Sequence, residues 1–141
     1  MQNRTPSVSD TIVIAEDNGP YRKLLRIALS QMGFSVHDTA DGRSAVVTTL
    51  ALRPSLVVLD ICMPGLSGVE AARQIRRDLA EGAPWLVALS ALDPTRLDSI
   101  RQEGDFDVVL AKTKDIYALC DEIAALPAQS YPQLIKPVVI R

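Results

Sequence analysis

Five short apolar runs punctuate the chain, at residues 11–15, 34–37, 56–59, 85–89 and 108–110. Each is bounded by turn-forming residues, which predicts strands rather than helices. The run Leu56, Val57, Val58, Leu59 has no polar alternation, as expected of a strand covered on both faces. Between the runs, apolar residues recur at helical spacing. The first such segment carries Leu24, Leu25, Ala28, Leu29 and Met32, and the second Ala45, Val46, Thr49 and Leu50. The third carries Val69, Ala72, Ile75 and Leu79, and the fourth Leu97 and Ile100. The fifth carries Ile116, Leu119, Cys120, Ile123 and Leu126. The punctuation agrees with this reading. Asn18 with Gly19 and Pro20 opens the first helix and Gly33 closes it. Asp41 with Gly42 precedes the second, Ser67 with Glu70 forms a capping box for the third, and Asp93 with Pro94 starts the fourth. Strand and helix alternate five times, which predicts an α/β fold, a doubly wound parallel sheet with helices on both faces.

In such sheets chemistry gathers at the carboxyl ends of the strands. The first strand leads into Glu16 and Asp17, the third into Asp60, the fourth into Ser90 and the fifth, through Ala111, into Lys112. Each has an ordinary structural explanation: an aspartate after a strand is commonly a turn or cap residue, Ser90 could cap a helix, and a lysine is commonly a solvated surface group. Taken together the set is harder to explain that way, because four of the five strands bring a polar group to the same edge while their interiors stay apolar. Three converging carboxylates cannot all stay ionised in a low-dielectric site without a cation, and Mg²⁺ suits a few carboxylate ligands shared with a phosphate. A nucleophilic acid, a cation, a hydroxyl and an ammonium are the parts that phosphoryl transfer to an aspartate needs.

Composition narrows the partners. The 141 residues, 48% of them hydrophobic, fit one domain with one core. A net charge of −2 gives no field to hold a phosphate backbone, so direct nucleic-acid binding is not expected. Cys62 and Cys120 lack metal-ligand spacing and read as reduced thiols. No run approaches the roughly 18 apolar residues of a membrane span, and the N-terminus has no signal-peptide core. A cytoplasmic protein without a membrane partner is expected. Residues 1–10 read as an N-terminal extension, 11–126 as the domain, and 127–141, with three prolines and no helical period, as a tail or linker stub.

The pieces I-V-I-A-E-D-N, L-V-V-L-D-I-C-M-P-G-L-S-G, V-A-L-S-A and the lysine of V-V-L-A-K resemble the response-regulator receiver domain of two-component signalling. The resemblance implies a flavodoxin-like (β/α)5 sandwich with strand order 2-1-3-4-5. It implies Asp60 as phosphoacceptor from a histidine kinase or histidine phosphotransfer protein, Ser90 as switch hydroxyl and Lys112 as partner of the phosphoryl group. For Mg²⁺ it implies Asp17 and Asp60 as direct ligands, Glu16 through water and Cys62 through its backbone carbonyl. Such a domain is a switch acting on a downstream protein and not an enzyme on small substrates; with about 15 residues after it, no output domain is expected here.

Two positions depart from the family pattern. Thr113 follows the lysine where the family has a cis proline, and a cis bond before threonine would cost about 3 to 4 kcal/mol, so a trans bond or a different loop is expected. Val109 stands where an aromatic ring usually reports the switch. These departures motivate the alternative of a degenerate receiver that binds partners without phosphorylation. A Mg²⁺-dependent phosphatase is the other competing class, disfavoured because Cys62 occupies the place of its usual second acid. Leu92, apolar where a polar side chain could guide water, predicts slow self-dephosphorylation. His37 reads as an edge residue rather than a phosphate donor, Phe106 as core, Cys62 as structural, and Trp85 as an amphipathic edge residue.

Overall fold

The computed structural model describes residues 10–91, 93–112 and 115–126. The expectations for Leu92, the Lys112 to Thr113 bond, residues 1–9 and the tail 127–141 lie outside the described residues. The elements run β1 (Thr11–Ala15), α1 (Gly19–Gln31), β2 (Ser35–Thr39), α2 (Gly42–Leu52), β3 (Leu56–Asp60), α3 (Gly68–Leu79), β4 (Trp85–Ser90), α4 (Pro94–Glu103), β5 (Val108–Ala111) and α5 (Ile116–Ala125). All four strand pairings are parallel, and the sheet order is β2-β1-β3-β4-β5. The chain thus forms the doubly wound α/β sandwich that its pattern predicts.

Because successive strand residues face opposite ways, each apolar run feeds two cores. Val13, Ala15, Val57, Leu59, Leu86, Ala88 and Val109 pack with α2, α3 and α4 on one side. Ile12, Ile14, Leu56, Val58, Val87, Leu89 and Leu110 pack with α1 and α5 on the other. Every residue of β3 is buried, which accounts for its unbroken apolar run. The helix starts follow the capping chemistry. Asn18 accepts from the Tyr21 N–H, Asp41 from the Ser44 N–H and Asp93 from the Arg96 N–H, and Ser67 and Glu70 complete a reciprocal capping box. Asp115 opens α5 in the same way, accepting from the Tyr117 and Ala118 N–H groups.

Three differences from the sequence reading have physical causes. The second strand extends to Thr39 instead of stopping at His37, because it pairs in register with β1 as far as Ala15 and Thr39 Oγ1 donates to the Ile14 carbonyl at 2.8 Å. Trp85 is not an edge residue: β4 lies inside the sheet, and the residue is 7% exposed within the core beneath α1 and α5. Leu24 on α1 and Met32 at its C-cap stay exposed, so the buried stripe is Leu25, Ala28 and Leu29. Among the described residues no helix is long and apolar enough to cross a membrane.

Candidate functional site

Asp60 and Ser90 are the last residues of β3 and β4, still inside the hydrogen-bonded ladder. Asp60 pairs in register with Leu89, and the Ile61 N–H donates to the Leu89 carbonyl at 3.0 Å. Glu16 is held just past β1 by its own N–H, which donates to the Thr39 carbonyl at 3.1 Å. The Lys112 N–H donates to the Ser90 carbonyl at 2.8 Å, fixing the root of the lysine beside β4. The site is therefore carried by the sheet's C-terminal edge, with little freedom in its backbone.

The side chains meet over that edge. Lys112 Nζ lies 2.8 Å from Glu16 Oε1 and 3.3 Å from Asp60 Oδ2. Glu16 Oε2 accepts from the Asn18 N–H at 3.0 Å, and Asp60 Oδ1 accepts from the Cys62 N–H at 3.2 Å. Glu16, Asp17 and Asp60 each offer a carboxylate oxygen, all within 4.8 Å of one another. Glu16 and Asp60 are buried and Asp17 is exposed, so the cluster opens toward solvent on the Asp17 side.

Burial and the Glu16 charge push the Asp60 carboxyl up to about 6, against the pull of the Lys112 ammonium. Burial alone would lower Lys112, but its hydrogen bond to Glu16 and the charges of Asp60 and Glu16 outweigh that and leave it raised. One ammonium thus does not neutralise the carboxylates around it. The donor set, three carboxylates and no thiolate or imidazole, fits a hard divalent cation such as Mg²⁺.

The structure brings together Glu16, Asp17, Asp60 and Lys112 as their strand-end positions predict, and Ser90 is buried on the neighbouring strand. Cys62 is exposed, and its visible contribution is the amide that holds Asp60 Oδ1. The capping explanation does not hold for the strand-end residues themselves: Asn18, not Asp17, caps α1, and Asp93, not Ser90, caps α4. His37 is exposed on the edge strand β2, while Phe106 and Val109 are core residues.

Two features of the site escaped the sequence reading. The Tyr21 ring lies under Lys112, with Nζ 5.0 Å from its centroid. A Cβ on Gly68 would overlap the Asp60 carbonyl oxygen, so the start of α3 sits directly against the strand end. In the sequence Gly68 is legible as a glycine at a helix start, but not its packing on β3; the Tyr21 contact joins residues 91 positions apart and has no local signature.

The family model for the response regulator receiver domain matches residues 12–124. The response regulator MprA of Mycolicibacterium vanbaalenii is 43% identical over 121 residues, covering 86% of this chain and 52% of the relative. The chain spans about half the length, or less, of the curated relatives it matches. Among solved structures, the response-regulator signal receiver domain from Bermanella marisrubri superposes with a TM-score of 0.73 at 27% identity, covering 84% of this chain and 98% of the other. The receiver domain of the Francisella response regulator 1452 gives a TM-score of 0.75 over 84% of this chain and 96% of the other; at 21% identity it bears on the fold alone.

Proposed function

The chain belongs to the response-regulator receiver domain family, and from that premise we propose that residues 11–126 are a phosphorylation-dependent switch in which Asp60 accepts a phosphoryl group from a histidine kinase or histidine phosphotransfer protein. The observation that carries this reading is the meeting of Asp60 Oδ2, Glu16 and the Lys112 ammonium over one sheet edge, with Asp17 open to solvent beside them. In the transfer, an Asp60 oxygen attacks phosphorus, the P–N bond of the donor phosphohistidine breaks, and the leaving imidazole nitrogen takes a proton. Lys112 is placed to neutralise an oxygen of the incoming group, and the Cys62 amide holds Asp60 Oδ1 so that Oδ2 faces the ammonium. Asp17, Asp60, the Cys62 carbonyl and, through water, Glu16 would hold Mg²⁺. Bound there, the ion would offset carboxylate and phosphoryl charge, favouring the ionised form of Asp60.

The product aspartyl phosphate carries nearly two negative charges and three acceptor oxygens. Lys112 and the Ser90 hydroxyl are the groups it would draw in, and both are rooted in β4 and β5, whose following segments would carry the change to a downstream protein partner. Val109 is buried where the family has its aromatic reporter, so the readout here runs without that ring.

Incubation with Mg²⁺ and radiolabelled acetyl phosphate tests the reading. Stoichiometric, acid-stable, base-labile label on the wild type and none on Asp60→Asn is expected. No label on either protein would instead favour a receiver that binds partners without phosphorylation.

A further inference from the structure

Lys112 is the group on which both the resting site and the proposed phosphoryl capture turn, yet it is a flexible four-carbon stem with three rotatable donors. Two of its neighbours, Glu16 Oε1 and Asp60 Oδ2, are carboxylates. Their field at the ammonium changes whenever a cation enters or Asp60 is phosphorylated. The third neighbour is the Tyr21 ring, 5.0 Å from Nζ to centroid, within the range of a cation–π contact. It is neutral, so its attraction persists through those changes.

The ring itself is well anchored. Tyr21 lies in the first turn of α1, whose N-cap Asn18 accepts its N–H at 2.9 Å, and it packs on the core shared by α1 and α5. Its hydroxyl oxygen is buried without a hydrogen-bond partner among the described residues. A buried hydroxyl that satisfies nothing is an unfavourable way to fill space. The contact with Lys112 is made by the aromatic face.

We propose that the face of Tyr21 is a positioning element for Lys112, holding its ammonium over the acidic edge so that it meets the incoming phosphoryl oxygens. The inference rests on the receiver reading above. Tyr21 touches neither phosphoryl group nor cation and acts through the lysine.

The test measures the rate constant of labelling of the full chain by acetyl phosphate and Mg²⁺ in wild type, Tyr21→Leu and Tyr21→Phe, each also in a Lys112→Ala background. Tyr21→Leu should slow labelling roughly three- to tenfold, and Tyr21→Phe should restore the rate. In the Lys112→Ala background Tyr21→Leu should cause no further loss, whereas a merely structural role would lower the rate in both backgrounds. Proton NMR of the unphosphorylated protein gives a second readout. The Lys112 ε-methylene protons should be shifted upfield by the ring in wild type and Tyr21→Phe, but not in Tyr21→Leu. A wild-type rate in Tyr21→Leu, a Tyr21→Phe as slow as Tyr21→Leu, equal losses in both backgrounds, or the absence of the ring shift would each overturn the proposal. A wild type that takes no label sinks the phosphoacceptor reading and with it the use of this contact, while the NMR shift still reports whether the contact exists.

Discussion

At Asp60 the physics of a single residue sets a testable pH dependence. A carboxyl raised to about 6 by burial and a neighbouring carboxylate holds its proton more tightly folded than unfolded. The folded chain therefore binds more protons than the unfolded chain between roughly pH 4 and 6, and the stability that Asp60 contributes falls as pH rises through that window. Above it the penalty is constant. Asparagine mimics the protonated side chain, so without Mg²⁺, Asp60→Asn should match the wild type near pH 4 and exceed it by about 1 to 3 kcal/mol near pH 7. Urea denaturation of the two proteins across this range measures the difference, and a constant gap would refute the assignment. Gly68 gives a second prediction. A Cβ there would overlap the Asp60 carbonyl and crowd the Ile61 backbone, neither of which can yield as a flexible side chain would. Gly68→Ala should cost about 1 to 3 kcal/mol in the same assay. It should also slow labelling of Asp60, since the strand end must shift to make room.

Between elements, one polar tie away from the site joins α3 to the start of β5 and to β4. Arg76 pairs with Asp107 at 3.3 Å and donates from Nε to the Asp105 carbonyl at 2.7 Å, while Asp107 Oδ2 accepts from the Leu86 N–H at 2.8 Å. The Asp107 side chain is only 3% exposed, so Arg76→Ala would remove a charged partner from a buried carboxylate and a donor from the Asp105 carbonyl. A loss of about 1.5 to 3 kcal/mol is expected by urea denaturation, beyond the fraction of a kcal/mol expected for the exposed pair of Arg101 and Asp98. This tie was not legible in the sequence. The five apolar runs, the caps of α1 to α4 and the sequence of strand-end residues were, because each depends on neighbours a few positions away. The misses need partners far along the chain. Thr39 joins β2 only because β1 lies beside it, Trp85 is buried only because α1 and α5 cover β4, and Arg76 reaches an aspartate 31 positions on. For the same reason the acidic cluster was readable as a list of strand ends, but not the hold of the Cys62 amide on Asp60 or the place of Tyr21.

For the whole molecule, β3 and β4 are buried on both faces, and the sheet's C-terminal edge brings the buried carboxylates of Glu16 and Asp60 together at one place. Folding must assemble Glu16, Asp17 and Asp60 from segments more than forty residues apart, and the unfolded chain has no comparable site. A ligand that binds only the folded state raises stability by mass action, by about 2.7 kcal/mol at a hundredfold excess over its Kd. Mg²⁺ should accordingly raise the thermal midpoint by several degrees at saturating concentration. The shift should grow with the logarithm of Mg²⁺ concentration, and it should be largely lost in Asp17→Asn, whose exposed side chain can be changed with little effect on the core. Since Asp60 is the carboxyl held high by its surroundings, Mg²⁺ should also lower the pH at which acetyl phosphate labelling reaches half its maximum. Thermal melts over a Mg²⁺ titration at pH 5 and pH 7.5 join the two effects. The cation must displace the excess proton at the lower pH, so the midpoint rise at a given subsaturating concentration should be smaller at pH 5. An equal rise at both pH values, or one that survives Asp17→Asn, would place the ion elsewhere on the molecule.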